Sequence, residues 1–318
     1  MTSLPINFPP SADRASRELL RSLQGQTPVE EMPIRDAREQ MCQGQDTIFQ
    51  KSSLLHETLN DGRCQVEILK PKDAGNLLPI IFFLHGGGWV MGGPQTHGYL
   101  VTELVKRSQC ALAFVDYPLA PEVCYPKNLD DAFSAVSAVL AASARYGLDP
   151  KRIAFAGDSA GGNLAAALVL RFRISFLLAP RAQVLLYPAL DIRAESASYR
   201  DFSTGLNLTQ PTMHWFWDQY APGMRESTDP LLSPLHAPRE MLAGLPRTLI
   251  VTSEIDVLRD EGELFATLLR QAQVDTSLVR FGGVLHGFMV TEALAKSPSG
   301  DLAIQLVADF LRTSLASD

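Results

Sequence analysis

Short apolar runs alternate with longer segments of helical periodicity over most of this chain, and the alternation carries the first structural information. Continuous apolar stretches bounded by turn residues predict buried strands near Ile80–Leu84, Leu112–Val115, Ile153–Ala156, Ala182–Tyr187 and Thr248–Thr252; Thr276–Phe281 alternates as a strand does. Between them, apolar residues recur at helical spacing near Tyr99–Arg107, Leu129–Tyr146, Ala160–Arg171, Asp260–Gln273 and Asp301–Ser314. Strand-helix alternation of this kind predicts a mostly parallel sheet with helices on both faces. Ahead of it, Leu54–Leu59 and Cys64–Leu69 read as a hairpin around Asn60-Asp61-Gly62. Ser11–Leu23 has helical spacing, and Val29–Gln43 is mixed, with room for a short helix.

The stretch between the strand ending at Tyr187 and the one starting near Arg247 is far longer than a crossover needs. Its middle, Thr209–Tyr220, predicts a helix capped by Thr209 or Thr212 and started at Pro211. Trp215, Phe216 and Trp217 follow one another there, so one helix face cannot bury all of them. We read this helix, with the N-terminal helix, as a cap. The division expected is an N-terminal cap segment at 1–50 and a catalytic domain at 51–318, with a cap insertion at about 191–228. A peripheral helix packed on the domain is the plainer alternative.

Chemistry enters at the strand ends. Gly157-Asp158-Ser159-Ala160-Gly161 lies between a strand and a helix, where a Gly-x-Ser-x-Gly turn exposes a serine at the tip of a strained corner. The motif alone also occurs in glycine-rich turns without chemistry. Here, however, His85-Gly86-Gly87-Gly88-Trp89 follows an earlier strand, Asp256 a later one, and His286-Gly287-Phe288 the last. That order supplies oxyanion glycines, nucleophile, acid and base. Ser159 is the expected nucleophile, His286 the base and then the acid, and Asp256 the residue that orients the imidazole. The backbone N–H groups of Gly87, Gly88 and Ala160 are the expected oxyanion donors. Gly86 reads as the residue that lets the chain turn, and His85 as a structural histidine bonded within its loop. Asp260 and Glu254 rival Asp256, but Asp260 reads as a charge at the next helix start and Glu254 lies closer to the strand end. Asp158 reads as a helix-terminal or loop-bonding residue, and His97 and His214 as structural, with His214 also placed to border the pocket. Trp89, Tyr187, His214, Trp215 and Phe216 are the candidate substrate-pocket residues.

These motifs resemble the hormone-sensitive-lipase-like branch of the α/β-hydrolases, bacterial esterases with His-Gly-Gly-Gly and Gly-Asp-Ser-Ala-Gly-Gly motifs. The resemblance runs from about Leu54 to the C-terminus and includes Asp116-Tyr117-Pro118-Leu119-Ala120-Pro121-Glu122, Asp229–Leu235 and Asp256–Gly262. Pro118 stands where the family usually has arginine, and Val257 where it often has proline. The family implies an α/β-hydrolase fold whose N-terminal segment and insertion form a helical cap. It also implies a serine carboxylesterase acting through an acyl-enzyme on short- to medium-chain esters, and it favours Asp256 as the acid. An amidase or formamidase could use the same triad. A non-catalytic receptor on this fold, as in the plant gibberellin receptors, would lack the histidine that His286 supplies.

Composition narrows the setting. Of the 318 residues, 46% are hydrophobic and 20% charged, as in a well-buried globular chain. The net charge of −7 argues against a basic nucleic-acid surface. Met1–Pro10 lacks the basic flank and apolar core of a signal peptide, and the apolar run Ile174–Pro180 is too short to span a bilayer. Cys42, Cys64, Cys110 and Cys124 form no Cys-x-x-Cys pair, so reduced thiols and a cytoplasmic location are expected. Spacing rules out three rivals. Met91 stands at the third glycine of a dinucleotide fingerprint, Pro94 at the lysine of a phosphate loop, and Asn60 at the second histidine of a zinc-protease motif. The expectation is therefore no metal, no organic cofactor, a small-molecule ester as the partner, and no membrane span. Many family members are dimers, so the resemblance also admits a homodimer.

Overall fold

The computed structural model describes residues 9–43, 53–73, 75, 77–175 and 179–317. Most of the opening stretch read for a signal peptide, the domain junction near residue 50 and the centre of the apolar run at 174–180 lie outside the described residues. Eight strands among the described residues form one sheet in the order β1-β2-β4-β3-β5-β6-β7-β8. They are β1 (Leu55–Asn60), β2 (Gln65–Lys70), β3 (Leu78–Leu84), β4 (Ala111–Asp116), β5 (Leu148–Asp158), β6 (Ala182–Leu186), β7 (Arg247–Ile255) and β8 (Thr276–Leu285). The hairpin β1–β2 is antiparallel and joins the sheet antiparallel to β4; every other pairing is parallel.

The apolar run at β3 has a direct cause. It pairs with β4 on one side and β5 on the other, and it is covered on both faces. Ile80, Phe82 and Leu84 enter one core layer, while Ile81 and Phe83 enter the other. The first layer is closed by α4 (Lys127–Ala141), α5 (Ala160–Ser175) and α9 (Arg259–Gln271), the second by α3 (Pro94–Ser108) and α11 (Pro298–Ser314). The predicted helix Leu129–Tyr146 is two pieces, α4 and a 3₁₀ turn at Ser143–Tyr146, after which Gly147, with a left-handed φ of 67°, turns the chain into β5. β8 runs past its predicted end to Leu285, delivering His286 one residue later.

At the N-terminus, α1 (Arg14–Ser22) starts against β8, where the Asp13 N–H donates to the Gly283 carbonyl at 2.8 Å, and α2 (Ile34–Cys42) follows. Arg38 of α2 donates to the carbonyls of Val90 (2.8 Å) and Ala120 (3.0 Å) and pairs with Glu122 (2.7 Å). The long insertion holds α6 (Ala197–Asp201) and α7 (Gln210–Tyr220), and the short helix α8 (Arg239–Leu242) leads back to β7. Thr209 caps α7, accepting from the Thr212 N–H at 3.3 Å, and Thr212 in turn donates to Glu30 at 2.8 Å. The N-terminal helices form a cap, tied by Arg38 to the loops after Trp89 and Leu119, and Glu30, in the link between those helices, joins it to α7. A final pair, α10 (Glu292–Ala295) and α11, closes the chain; no helix among the described residues is long and apolar enough to cross a membrane.

Candidate active site

Parallel strands bring their carboxyl ends to one edge, where open α/β sheets hold their ligands. His85–Trp89 follow β3, Ser159 follows β5, Tyr187 follows β6, Asp256 follows β7 and His286 follows β8. Ser159 takes a φ of 55°, a conformation a non-glycine residue adopts only when its surroundings hold it there. The hold is visible. The Ser159 N–H donates to the Leu186 carbonyl at 2.8 Å, and its carbonyl accepts from Asn163 (3.1 Å) and Ala189 (3.2 Å). The flanking glycines are required by proximity: a Cβ at Gly157 would lie 2.2 Å from the Gly161 carbonyl oxygen, and one at Gly161 2.0 Å from that of Leu84.

The other two side chains converge on this corner. His286 Nε2 lies 2.9 Å from Ser159 Oγ, and His286 Nδ1 lies 2.7 Å from Asp256 Oδ2. The second carboxylate oxygen of Asp256 accepts the Leu258 N–H at 2.9 Å, and Asp256 is fully buried. Asn207, from the insertion, donates to the His286 carbonyl at 2.9 Å, and the Tyr187 ring stands edge-on to the imidazole at 5.0 Å. The rivals to Asp256 are engaged elsewhere. Asp260 accepts from the Ser198 N–H and pairs with Arg259, while Glu254 accepts from the Gly283 N–H at 2.6 Å.

The glycine loop is held from below. Asp158, beside the nucleophile, accepts from the Gly86 N–H at 2.9 Å and lies 3.1 Å from His97 Nε2. Burial pushes the Asp158 carboxyl up, but the His97 charge and hydrogen bond, with the Gly86 N–H, outweigh it and hold it below the ordinary range. His85 is buried, stacked on Tyr117 at 4.3 Å, and burial with the neighbouring His97 lowers it to about 3. Tyr117 donates to the His85 carbonyl at 2.7 Å. The loop-bonding reading of Asp158 and the structural readings of His85 and His97 match this arrangement. At Gly86 the φ is not left-handed, and glycine is required for space: a Cβ there would lie 2.3 Å from the Asp158 carboxylate. The left-handed residues are Gly87 (φ 107°), Gly88 (φ 62°) and Trp89 (φ 60°). The N–H groups of Gly87, Gly88 and Ala160 have no acceptor within the described residues.

The five pocket candidates separate. Phe216 packs against the glycine loop so closely that a Cβ at Gly88 would lie 2.1 Å from its ring. Trp89 has no exposed surface and stacks on Tyr220 at 4.4 Å and on Trp217 at 4.2 Å, so its ring fills the seam between cap and domain. Tyr187 is equally buried, behind His286. His214 and Trp215 are half-buried on α7, Trp215 against the Phe216 ring at 5.2 Å. Asn207 and Arg38 are contributions that sequence reasoning missed. Each acts across dozens of residues on a backbone carbonyl, which leaves no local signal. No group of three His, Cys, Asp or Glu side chains among the described residues could hold a metal ion.

A serine, histidine and carboxylate joined by hydrogen bonds at the carboxyl edge of this sheet define a serine hydrolase of the α/β-hydrolase fold. A family model described as alpha/beta hydrolase fold matches residues 81–290. Carboxylesterase NlhH of Mycobacterium tuberculosis is 31% identical over 308 residues, 95% of this chain and 92% of its own length. Ethyl acetate hydrolase of Pseudomonas putida is 32% identical over 272 residues, 82% of this chain and 85% of its own. The crystal structure of a thermostable esterase from Pseudomonas putida superposes with a TM-score of 0.92 at 34% identity, covering 98% of this chain and 99% of that one. The chain belongs to the hormone-sensitive-lipase-like esterase family of the α/β-hydrolases. Its activity is that of a carboxylic ester hydrolase.

Proposed function

We propose that the protein hydrolyses short- to medium-chain carboxylic esters through an acyl-enzyme on Ser159. The observation that carries this reading is the unbroken chain from Asp256 through His286 to Ser159, at 2.7 and 2.9 Å. His286 Nε2 takes the hydroxyl proton as Ser159 Oγ attacks the ester carbonyl. Asp256 fixes the imidazole with Nδ1 as its donor and stabilises the imidazolium that forms. Negative charge on the carbonyl oxygen is met by the N–H groups of Gly87, Gly88 and Ala160. Ala160 opens α5, so its N–H is one of those a helix start leaves free. The imidazolium then protonates the departing alcohol. Water, deprotonated by His286, attacks the acyl group, and Ser159 leaves with the returned proton. The residues named complete this cycle without a metal or organic cofactor.

Chain-length preference rests on the cap. Segments 1–50 and about 191–228 are read as cap and the rest as the catalytic domain, supported by the Arg38 and Thr212 contacts. Phe216 stands on the oxyanion loop itself, which leaves little depth beside Gly88 for a long acyl chain. The ethyl acetate hydrolase among the relatives fits a short-ester substrate. A cytoplasmic setting fits the four free thiols. The test is a rate profile over acyl length with wild type and Ser159→Ala. Turnover falls on the order of 10⁶ in Ser159→Ala. The wild-type profile peaks at or below about eight carbons, since a closed pocket discriminates by roughly 1–3 kcal/mol per methylene. Turnover above a tenth of wild type in Ser159→Ala, or rates rising steadily to long chains, would overturn the reading.

A further inference from the structure

The segment leaving β6 touches the nucleophile's backbone and packs between the helices that follow Ser159 and Asp256. Its Ala189 N–H donates to the Ser159 carbonyl at 3.2 Å, and the Leu186 carbonyl accepts the Ser159 N–H. Pro188 is wedged between the helix that follows the nucleophile and the helix that follows the acid. A Cβ at Gly162 of α5 would lie 2.9 Å from Pro188 Cβ, and one at Gly262 of α9 would lie 3.5 Å from Pro188 Cδ and 2.9 Å from Thr252 Cγ2. The two helices close on this proline because both positions are glycine.

Glu261 precedes Gly262 and stands five residues after Asp256. Its carboxyl makes no cap within α9. Oε2 instead accepts the N–H of Leu190 at 2.6 Å and that of Asp191 at 3.1 Å, and Glu261 is 2% exposed. A second tie runs alongside. Ser198 Oγ donates to the Val257 carbonyl at 2.6 Å, and the Ser198 N–H donates to Asp260 at 2.8 Å. A buried acceptor serving two backbone donors is costly to lose, because both donors then stay unpaired. We propose that Glu261 is a positioning residue of the catalytic machinery. By anchoring the first turn of α9 to Leu190 and Asp191, it registers the Asp256 loop against the segment that supports Ser159. The proposal rests on Asp256 being the acid of the triad.

The experiment measures kcat and KM per serine titrated with an organophosphate, so that unfolded protein does not count. Glu261→Ala lowers kcat at least tenfold, with KM within threefold, as a misplaced catalytic group does. The ascending limb of its kcat/KM–pH profile moves to lower pH, because a displaced Asp256 stabilises the imidazolium less. Glu261→Gln keeps a carbonyl oxygen for the two N–H groups and recovers to within about threefold of wild type. In an Asp256→Asn background, Glu261→Ala costs less than about twofold more, since both act through one path. A purely structural residue would lower thermal stability and leave kcat per titrated serine and the pH limb unmoved; that result overturns the proposal. So does a full, independent loss in the Asp256→Asn background. If Glu261→Ala does not fold, Glu261→Asp, one methylene too short to reach both donors, takes its place under the same criteria. Wild-type activity in Asp256→Asn alone removes Asp256 from the triad and the proposal with it. A large loss there, with no effect at Glu261, overturns the proposal alone.

Discussion

Gly88→Ala tests whether the cap and the oxyanion loop form one packed unit. Two costs meet at this position. Gly88 has a φ of 62°, and a side chain in the left-handed region costs about 1–2 kcal/mol. The new methyl would also lie 2.1 to 2.3 Å from three ring atoms of Phe216. Carbon atoms rest at roughly 3.5–4.0 Å, so ring or loop must retreat by well over 1 Å. Phe216 is buried, and its neighbour Trp217 is held against Trp89, so the ring has little room and the loop yields. Losing one preorganised oxyanion donor costs on the order of 10²–10³ in kcat. We therefore expect Gly88→Ala to lower kcat by about that factor on a chromogenic short-chain ester, normalised to organophosphate-titrated serine. Phe216→Ala removes the obstructing atoms. Gly88→Ala introduced into the Phe216→Ala background should cost at least tenfold less than in wild type, the residue being the left-handed strain. Phe216→Ala loses stability by itself, about 3–5 kcal/mol for a buried phenylalanine, so the cycle is run well below its melting temperature. If Gly88→Ala keeps more than a third of wild-type kcat, the loop is not packed as described. If the cost is the same with and without the ring, strain alone is responsible and the cap contact carries no consequence.

Two further outcomes follow from the geometry. Asp256→Asn lowers kcat by roughly 10⁴ through the wrong imidazole tautomer, while Asp260→Asn, whose carboxylate serves Ser198 and Arg259, has a far smaller effect; the reverse order in a side-by-side rate measurement would exchange their roles. Burial, with the nearby Asp191 charge, pushes the Glu261 carboxyl up to about 8 against the opposing Leu190 and Asp191 N–H groups and Tyr199 hydroxyl; Arg193, Glu195 and Asp260 also line this spot, and His236 pairs with Asp191. Between about pH 5 and 8 the unfolded chain has released this proton and the folded chain has kept it, so stability falls as pH rises and levels off above about 8. The melting-temperature gap between wild type and Glu261→Gln should therefore move in the variant's favour across that window and then stay constant; a gap independent of pH would refute the assignment.

Much of this protein is legible in its sequence, for a local reason. Strands buried on both faces must be continuously apolar, so β3 to β7 announce themselves, and a backbone that doubles back in contact with itself must use glycine, so the loops at Gly86–Gly88 and Gly157–Gly162 do too. Since parallel strands deliver their ends to one edge, the order of Ser159, Asp256 and His286 already implied that they meet. Tertiary structure decided what depends on long-range approach. It separated Asp256 from Asp260 and Glu254 by which carboxylate reaches the imidazole, 30 residues away in the chain. It showed that Gly86 lies against the Asp158 carboxylate with no room for a Cβ. It also sorted the aromatics of α7, setting Phe216 on Gly88 and Trp217 on Trp89 and leaving Trp215 half-buried, which helical periodicity could not do because the three follow one another in the chain. The clasp at Pro188 and Glu261 was equally hidden, since its partners are backbone N–H groups that every residue carries and only the packing of two helices brings within reach.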